Sequence, residues 1–320
     1  MKFILSSMLV IITLNAQNLT NKTPSIPSQC YTKTQISPTQ THNPCYACHT
    51  KGVEPNFNDD SDFQTDLAFR ESAKKNPWTN LFHPPRIDPH LSDKKLLNYI
   101  RTSNYQNKER LYLADKLKHP PKAWDLNHNG RWDGYTPDCY YHFDEEGFDH
   151  NPQGTITGWR AFRYYPFVGT FWPTNGSTDD VLIRLDKIFW QNSAGKIDLA
   201  VYKLNLAIVE AMIKRQSITI PATDEKLYGV DLDHNGFLGE AHTIFYEWDP
   251  LHGKNMSYVG LARKALLQGQ IHLAAGLFPE GTEFLHSVRY IDYDDQQRVR
   301  LSARFKELRY AKKNALDSIL

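Results

Sequence analysis

Two cysteines and a histidine stand close together in the stretch THNPCYACHTKG near the start of the chain. Cys45 is followed by two residues, then by Cys48, and His49 comes directly after it. Two thiols at this spacing reach the two vinyl groups of one porphyrin, and the next histidine then ligates the iron. A thioredoxin-like pair or a zinc site would need flanking elements or further ligands that the sequence lacks. The motif predicts one covalently bound haem c.

The short polar approach HNP directly before CYACH resembles the haem sites of c-type cytochromes, and those of multihaem cytochromes in particular. The resemblance is confined to this motif. It implies an exported monohaem cytochrome that passes electrons to a redox partner protein, for which a multihaem cytochrome is a candidate. Two alternatives stay open: a haem enzyme of the peroxidase or small-molecule reductase type, and a cytochrome subunit of a multihaem respiratory complex. The sequence names no catalytic residue.

The sixth ligand of the iron is left open by the sequence. Histidine and methionine are common axial ligands. The candidates are His83 and His90 in a proline-punctuated segment, Met256 in a loop, and His286. An open sixth position is the alternative, and it would favour small-molecule chemistry over electron transfer.

An aromatic block, GWRAFRYYPFVGTFWP, lies in the loop-rich region 134–178. Aromatic side chains often dominate a hydrophobic core, which is one interpretation of the block. The other is that the block lines the haem. Arg160 and Arg163 would then pair with the propionates, because a guanidinium forms bidentate bonds with carboxylates.

Two loops share the pattern D-L-[ND]-H-N-G. Side-chain oxygens fall at positions one, three and five and a glycine at position six, as in the first half of an EF-hand. Position twelve is Thr136 in one loop and His242 in the other, so a closing carboxylate must come from elsewhere, or water fills in. We expect Ca²⁺ in at least one loop; Asn-Gly turns that bind nothing are the alternative. The candidate ligands are Asp125, Asn127, Asn129 and Asp133 in the first loop, and Asp231, Asp233, Asn235 and Glu240 in the second.

The N-terminus has the features of a secretory signal. Lys2 precedes an apolar run over residues 3–14, which is too short to span a bilayer. We predict cleavage near Ala16 and a periplasmic or otherwise exported mature protein without a membrane span. No cysteine follows directly, which argues against a lipid anchor. In an oxidising compartment Cys30 and Cys139 are expected to form a disulfide, with two buried thiols as the alternative.

The composition is that of a globular protein and gives no indication of nucleic-acid binding. Hydrophobic residues make up 40% of the chain, and 37 Lys and Arg nearly balance 36 Asp and Glu. We predict a mainly α fold with long irregular loops, as a single large domain after an extended haem-bearing arm. The predicted boundaries are 1–16 for the signal, 17–55 for the arm and 56–320 for the body. Helices are predicted at 92–103, 108–118, 178–190, 197–215, 257–270 and 301–319.

Overall fold

The structure, a computed structural model, describes residues 34–37, 40–42, 90–125, 127–163, 176–177 and 180–314. The chain divides into two units, residues 1–89 and residues 90–320. In the first unit the described residues form two short antiparallel strands, β1 (Thr34–Ser37) and β2 (Gln40–His42). Within the described ranges, no helix combines the length and the apolar character needed to cross a membrane.

An antiparallel sheet forms the centre of the second unit. Its strands are β3 (Phe148–His150), β4 (Ile156–Arg163), β5 (Gly176–Ser177), β6 (Val181–Arg184), β9 (Glu283–Tyr293) and β10 (Val299–Lys312). The order is β10-β9-β6-β4-β3, and β5 pairs with another stretch of β9. A separate antiparallel pair consists of β7 (Ile218–Asp224) and β8 (Glu240–Ile244). The prediction of a mainly α fold is therefore wrong.

Four of the predicted helices are confirmed, each shorter than expected. They are α1 (Asp93–Arg101), α2 (Tyr112–Leu117), α3 (Leu199–Lys214) and α4 (Gly260–Leu267). Asp198 caps the N-terminus of α3: its carboxylate accepts hydrogen bonds from the backbone N–H groups of Ala200 (3.0 Å) and Val201 (3.3 Å). This side chain satisfies two of the amides that a helix N-terminus leaves without an internal partner.

Both faces of the sheet are covered by other parts of the second unit. Ile183 belongs to the main core cluster, together with Tyr202 of α3. Its neighbour Leu182 packs instead with Cys139 and Trp159. Because successive side chains of a strand point to opposite faces, the first three residues of β6 (Val181, Leu182 and Ile183) are all apolar and do not alternate with polar residues.

This burial explains why the predicted helix at 178–190 is wrong. A short apolar run that is buried on both sides cannot be distinguished from a buried helix by its periodicity. The segment forms β6 and then a 3₁₀ turn at Lys187–Trp190.

The predicted helix at 301–319 is also wrong, because residues 301–312 belong to β10. Leu301, Phe305 and Leu308 are spaced by four and three residues, as on one face of a helix. The register between β10 and β9 shifts between Leu301 and Phe305 and again before Glu307. Each irregularity adds residues to one strand and resets the two-residue alternation. The helical spacing in the sequence is therefore produced by strand bulges.

Candidate metal site

The second calcium-like loop connects a 3₁₀ turn at Glu225–Leu227 to β8. Its backbone curls around Asp231. The two carboxylate oxygens of Asp231 accept hydrogen bonds from the backbone N–H groups of Asn235 (3.1 Å) and Gly236 (2.8 Å). Gly236 has a φ of 89°, in the left-handed region that glycine enters without a steric penalty. The sequence motif thus forms the tight loop that its glycine predicted.

Glu225 enters this loop from outside the motif and is completely buried. Its Oε1 accepts hydrogen bonds from the backbone N–H groups of Leu232 and Asp233 (3.3 Å for Asp233), and its Oε2 accepts one from Gly239 (2.9 Å). Hydrogen bonds from three backbone N–H groups hold this side chain at a fixed position, facing into the loop.

Carboxylate oxygens of Glu225, Asp231 and Asp233 lie within 4.8 Å of one another. Calcium–oxygen distances are about 2.3–2.6 Å, so oxygens on opposite sides of one ion are about 5 Å apart. The three carboxylates therefore fit a single hard cation. Asn235, the remaining side chain of the motif, donates from Nδ2 to Asp233 (2.9 Å) and accepts at Oδ1 from the backbone N–H of Phe237 (2.8 Å).

Sequence reasoning missed Glu225. The motif lacks a closing carboxylate, and Glu240 was the predicted contributor. Glu240 is exposed and lies 3.3 Å from Nε2 of His242. Glu225 reaches the loop because the capped 3₁₀ turn just before the motif bends the chain back, with Asp224 accepting from the N–H of Lys226 (3.0 Å). The sequence shows Glu225 only as an acidic residue shortly before the motif. Acidic residues on the surface look the same in a sequence, so this feature alone could not have identified a ligand.

The first calcium-like loop has the same backbone arrangement but a different set of side chains. Asp125 accepts hydrogen bonds from the N–H groups of Asn129 (3.0 Å) and Gly130 (2.8 Å). The side-chain amides of Asn127 and Asn129 donate to Asp133 Oδ2, at 2.7 Å and 2.6 Å. These two hydrogen bonds lower the pKa of the exposed Asp133. The amide of Asn127 thus stands where the second loop has the carboxylate of Asp233.

Most of the residues predicted to bind haem lie outside the described residues: Cys45, Cys48, His49 and His83. Covalent haem at this motif stays an untested prediction. Of the other candidates for the sixth ligand, His90 is exposed and Met256 is buried in the main core cluster. His286 lies in β9, opposite Arg309 of β10.

Cys139 is completely buried among Trp159, Leu182 and Leu285. Burial raises its pKa well above the ordinary range, which makes the thiol unreactive as a nucleophile. Its predicted partner Cys30 lies outside the described residues, so the disulfide stays a prediction.

Arg160, one of the two arginines proposed for haem propionates, is engaged by protein groups. Its Nε donates to the backbone carbonyl of Glu146 (3.2 Å), and its Nη1 lies 3.7 Å from a carboxylate oxygen of Glu210. The adjacent Trp159 is completely buried in the core. The side chain of Arg163 lies outside the described residues.

Comparisons with known proteins give a match over nearly the whole chain. A family model described as “-like lipoprotein” matches residues 13–318. An uncharacterized lipoprotein of Aquifex aeolicus (strain VF5) is 31% identical over 314 residues, which cover 92% of this chain and 48% of that relative. The chain thus spans about half the length of the curated relative it matches. No solved structure matches it significantly.

These matches overturn the interpretation of the chain as a c-type cytochrome. The resemblance rested on one short motif, whereas the family match extends over residues 13–318. The predictions of electron transfer, of a haem enzyme and of a cytochrome subunit are therefore wrong. The predicted redox partner depended on that interpretation and remains untested. The expectation that no lipid anchor is present conflicts with the family, while the prediction of export agrees with it. The chain is an exported protein that belongs to this lipoprotein family.

Proposed function

We propose that this protein is a periplasmic calcium-binding lipoprotein whose bound ion stabilises the folded body. The observation that carries the proposal is the buried carboxylate of Glu225 beside Asp231 and Asp233. Calcium prefers oxygen ligands and accepts irregular sets of six to eight of them. The carbonyl of Phe237, Asn235 and water are available to complete such a set.

The charge of the cluster supports a bound cation. Two like charges about 5 Å apart repel by about 1–3 kcal/mol at the effective dielectric constants of water and protein surfaces. Among the described residues, no Lys, Arg or His forms an ion pair with Glu225, Asp231 or Asp233. Carboxylates that lie this close without a cationic side chain repel one another, and a divalent ion removes most of that repulsion.

The position of the loop explains why the ion would stabilise the body. Leu232 and Val230 are buried in the main core cluster, and the loop leads directly into β8. The N–H of Leu232 donates to Glu225. An ion that holds the carboxylates together therefore also fixes this part of the core. A ligand that binds the folded state and not the unfolded state raises the unfolding free energy by mass action.

Calcium is expected to raise the melting temperature of the full-length protein, and Asp231→Asn to abolish that rise. At a hundredfold excess over Kd, binding adds about 2.7 kcal/mol, which for a body of this size corresponds to about 5–10 °C. The measurement is thermal unfolding followed by circular dichroism, with dialysed protein, calcium chloride and, for comparison, the same concentration of magnesium chloride.

The matched control is Asp125→Asn in the first loop, which has the same backbone arrangement. This variant is expected to keep the calcium response. Without calcium, Asp231→Asn loses one of three mutually repelling charges, so its loss of response is distinguishable from general destabilisation. An equal rise in wild type and Asp231→Asn, or no rise with calcium, would contradict the proposal.

A further inference from the structure

A polar cavity of about 410 Å³ lies beside the second loop. It is lined by residues 229–230 before the motif, by Asp231, His234 and Glu247, by residues 253–255 and Ser257, and by Arg263 of α4. Of the three carboxylates that converge in the loop, Asp231 alone also lines the cavity. The cavity is therefore a neighbouring site with its own side chains.

The two carboxylates that line the cavity already have partners. Glu247 Oε1 accepts a hydrogen bond from Nζ of Lys254 (2.7 Å), and its Oε2 lies 3.4 Å from Nδ1 of His234. Both oxygens of Asp231 accept backbone N–H groups of the loop. The acidic side chains of the cavity are thus satisfied by groups other than Arg263.

Arg263 is the exception among these charged residues. Its side chain is half-buried, and within the described part of the chain no hydrogen bond or ion pair engages it. A guanidinium carries five N–H donors and stays charged in proteins. Because no protein group occupies these donors, they are available to a ligand that enters the cavity.

We propose that this cavity binds the carboxylate or phosphate group of a small anionic ligand, with Arg263 as its principal contact. The planar guanidinium matches both groups and donates two parallel hydrogen bonds to either. Lys254 and the side-chain amide of Asn255 line the same cavity and supply further donors. The site does not require an ion in the loop, so it stands independently of the calcium proposal.

The test is calorimetric titration of the full-length, dialysed protein with inorganic phosphate and with succinate, at constant ionic strength. Saturable binding of at least one anion is expected. Arg263→Met should weaken it at least tenfold. The control is Arg298→Met, which removes an exposed arginine paired with Asp294 and should leave the affinity unchanged.

The two anions distinguish the two sources of the ligand chemistry. Binding of phosphate alone indicates a phosphorylated ligand, and binding of succinate alone indicates a carboxylic acid. Because Arg263→Met removes an unpaired, half-buried charge, its melting temperature should not fall; if it does not fold, Arg263→Gln replaces it. Absence of saturable binding by both anions, or equal binding by wild type and the Arg263 variant, overturns the proposal. The succinate titration is repeated in the presence of calcium. Anion binding that is the same with and without calcium shows that the cavity acts independently of an ion in the second loop.

Discussion

Asp180 is a single residue whose surroundings control its charge. The side chain is almost completely buried, and both its oxygens accept from the backbone N–H of Ser287, at 2.8 Å and 2.9 Å. The hydroxyl of Ser287 also donates to it. Burial raises the pKa of Asp180 to about 7, although the hydrogen bonds from Ser287 and the charge of Arg289 act in the opposite direction. Burial outweighs the favourable contacts because water is a better solvent for a carboxylate.

Asp180→Asn is expected to change how stability depends on pH. The native carboxyl group holds its proton up to about pH 7, whereas the unfolded chain releases it near pH 4. Its stabilising contribution is therefore complete below pH 4 and lost as the pH rises to about 7. The unfolding free energy of Asp180→Asn, relative to wild type, should rise by up to about 4 kcal/mol over this interval. Urea unfolding at pH 4 to 8 measures it, and parallel curves for the two proteins would rule it out.

Gly260 is the first residue of α4, and it packs closely against Gln191 in the segment before α3. Its φ is 67°, and an added Cβ would lie 2.3 Å from the backbone carbonyl oxygen of Gln191 and 2.9 Å from Cγ1 of Val201. Gly269 at the other end of α4 also has a φ of 67°, but nothing lies within 4 Å of its Cβ position. Comparing substitutions at Gly260 and Gly269 therefore separates the cost of the left-handed backbone from the cost of steric contact.

Gly260→Ala is expected to destabilise the protein by at least about 3 kcal/mol, and Gly269→Ala by about 1 kcal/mol. The smaller loss reflects the left-handed backbone alone, and the difference reflects contact with a backbone atom that cannot rotate away. Urea unfolding measures both. Equal losses in the two variants would show that the contact at Gln191 is relieved by small shifts.

The sequence predicts some elements better than others. Elements held by interactions between residues near in sequence are predicted well, and elements held by interactions between distant segments are not. α3 was predictable because its cap at Asp198 and its apolar positions are local in sequence. β6 and β10 were not, because their apolar residues are placed by a sheet that joins distant segments and contains bulges. Local periodicity carries no information about such pairing.

The candidate metal site shows the same limit. Asp231 and Asp233 stand in one contiguous motif, and the sequence predicted them together. Glu225 lies outside that motif and joins it through a 3₁₀ turn and three backbone hydrogen bonds. The geometry of that turn had to be known before the third carboxylate could be assigned.

At the scale of the whole molecule, the body is organised as a unit that contains its own core. The described core clusters contain residues from Tyr105 to Tyr310, and both calcium-like loops fall within this stretch of the sequence. The central sheet and α3 also lie within residues 90–320. These residues therefore contain a set of packed elements large enough to fold cooperatively.

Deletion of residues 1–89 is expected to leave a body that unfolds cooperatively within about 5 °C of the full-length protein and keeps its calcium response. Thermal unfolding of both proteins, with and without a reducing agent, measures this. A disulfide between Cys30 and Cys139 would close a long loop and contribute about 4–5 kcal/mol in the chain-entropy model. A larger drop that reduction reproduces in the full-length protein would therefore identify that bond, and loss of the cooperative transition itself would show that the body needs the first unit.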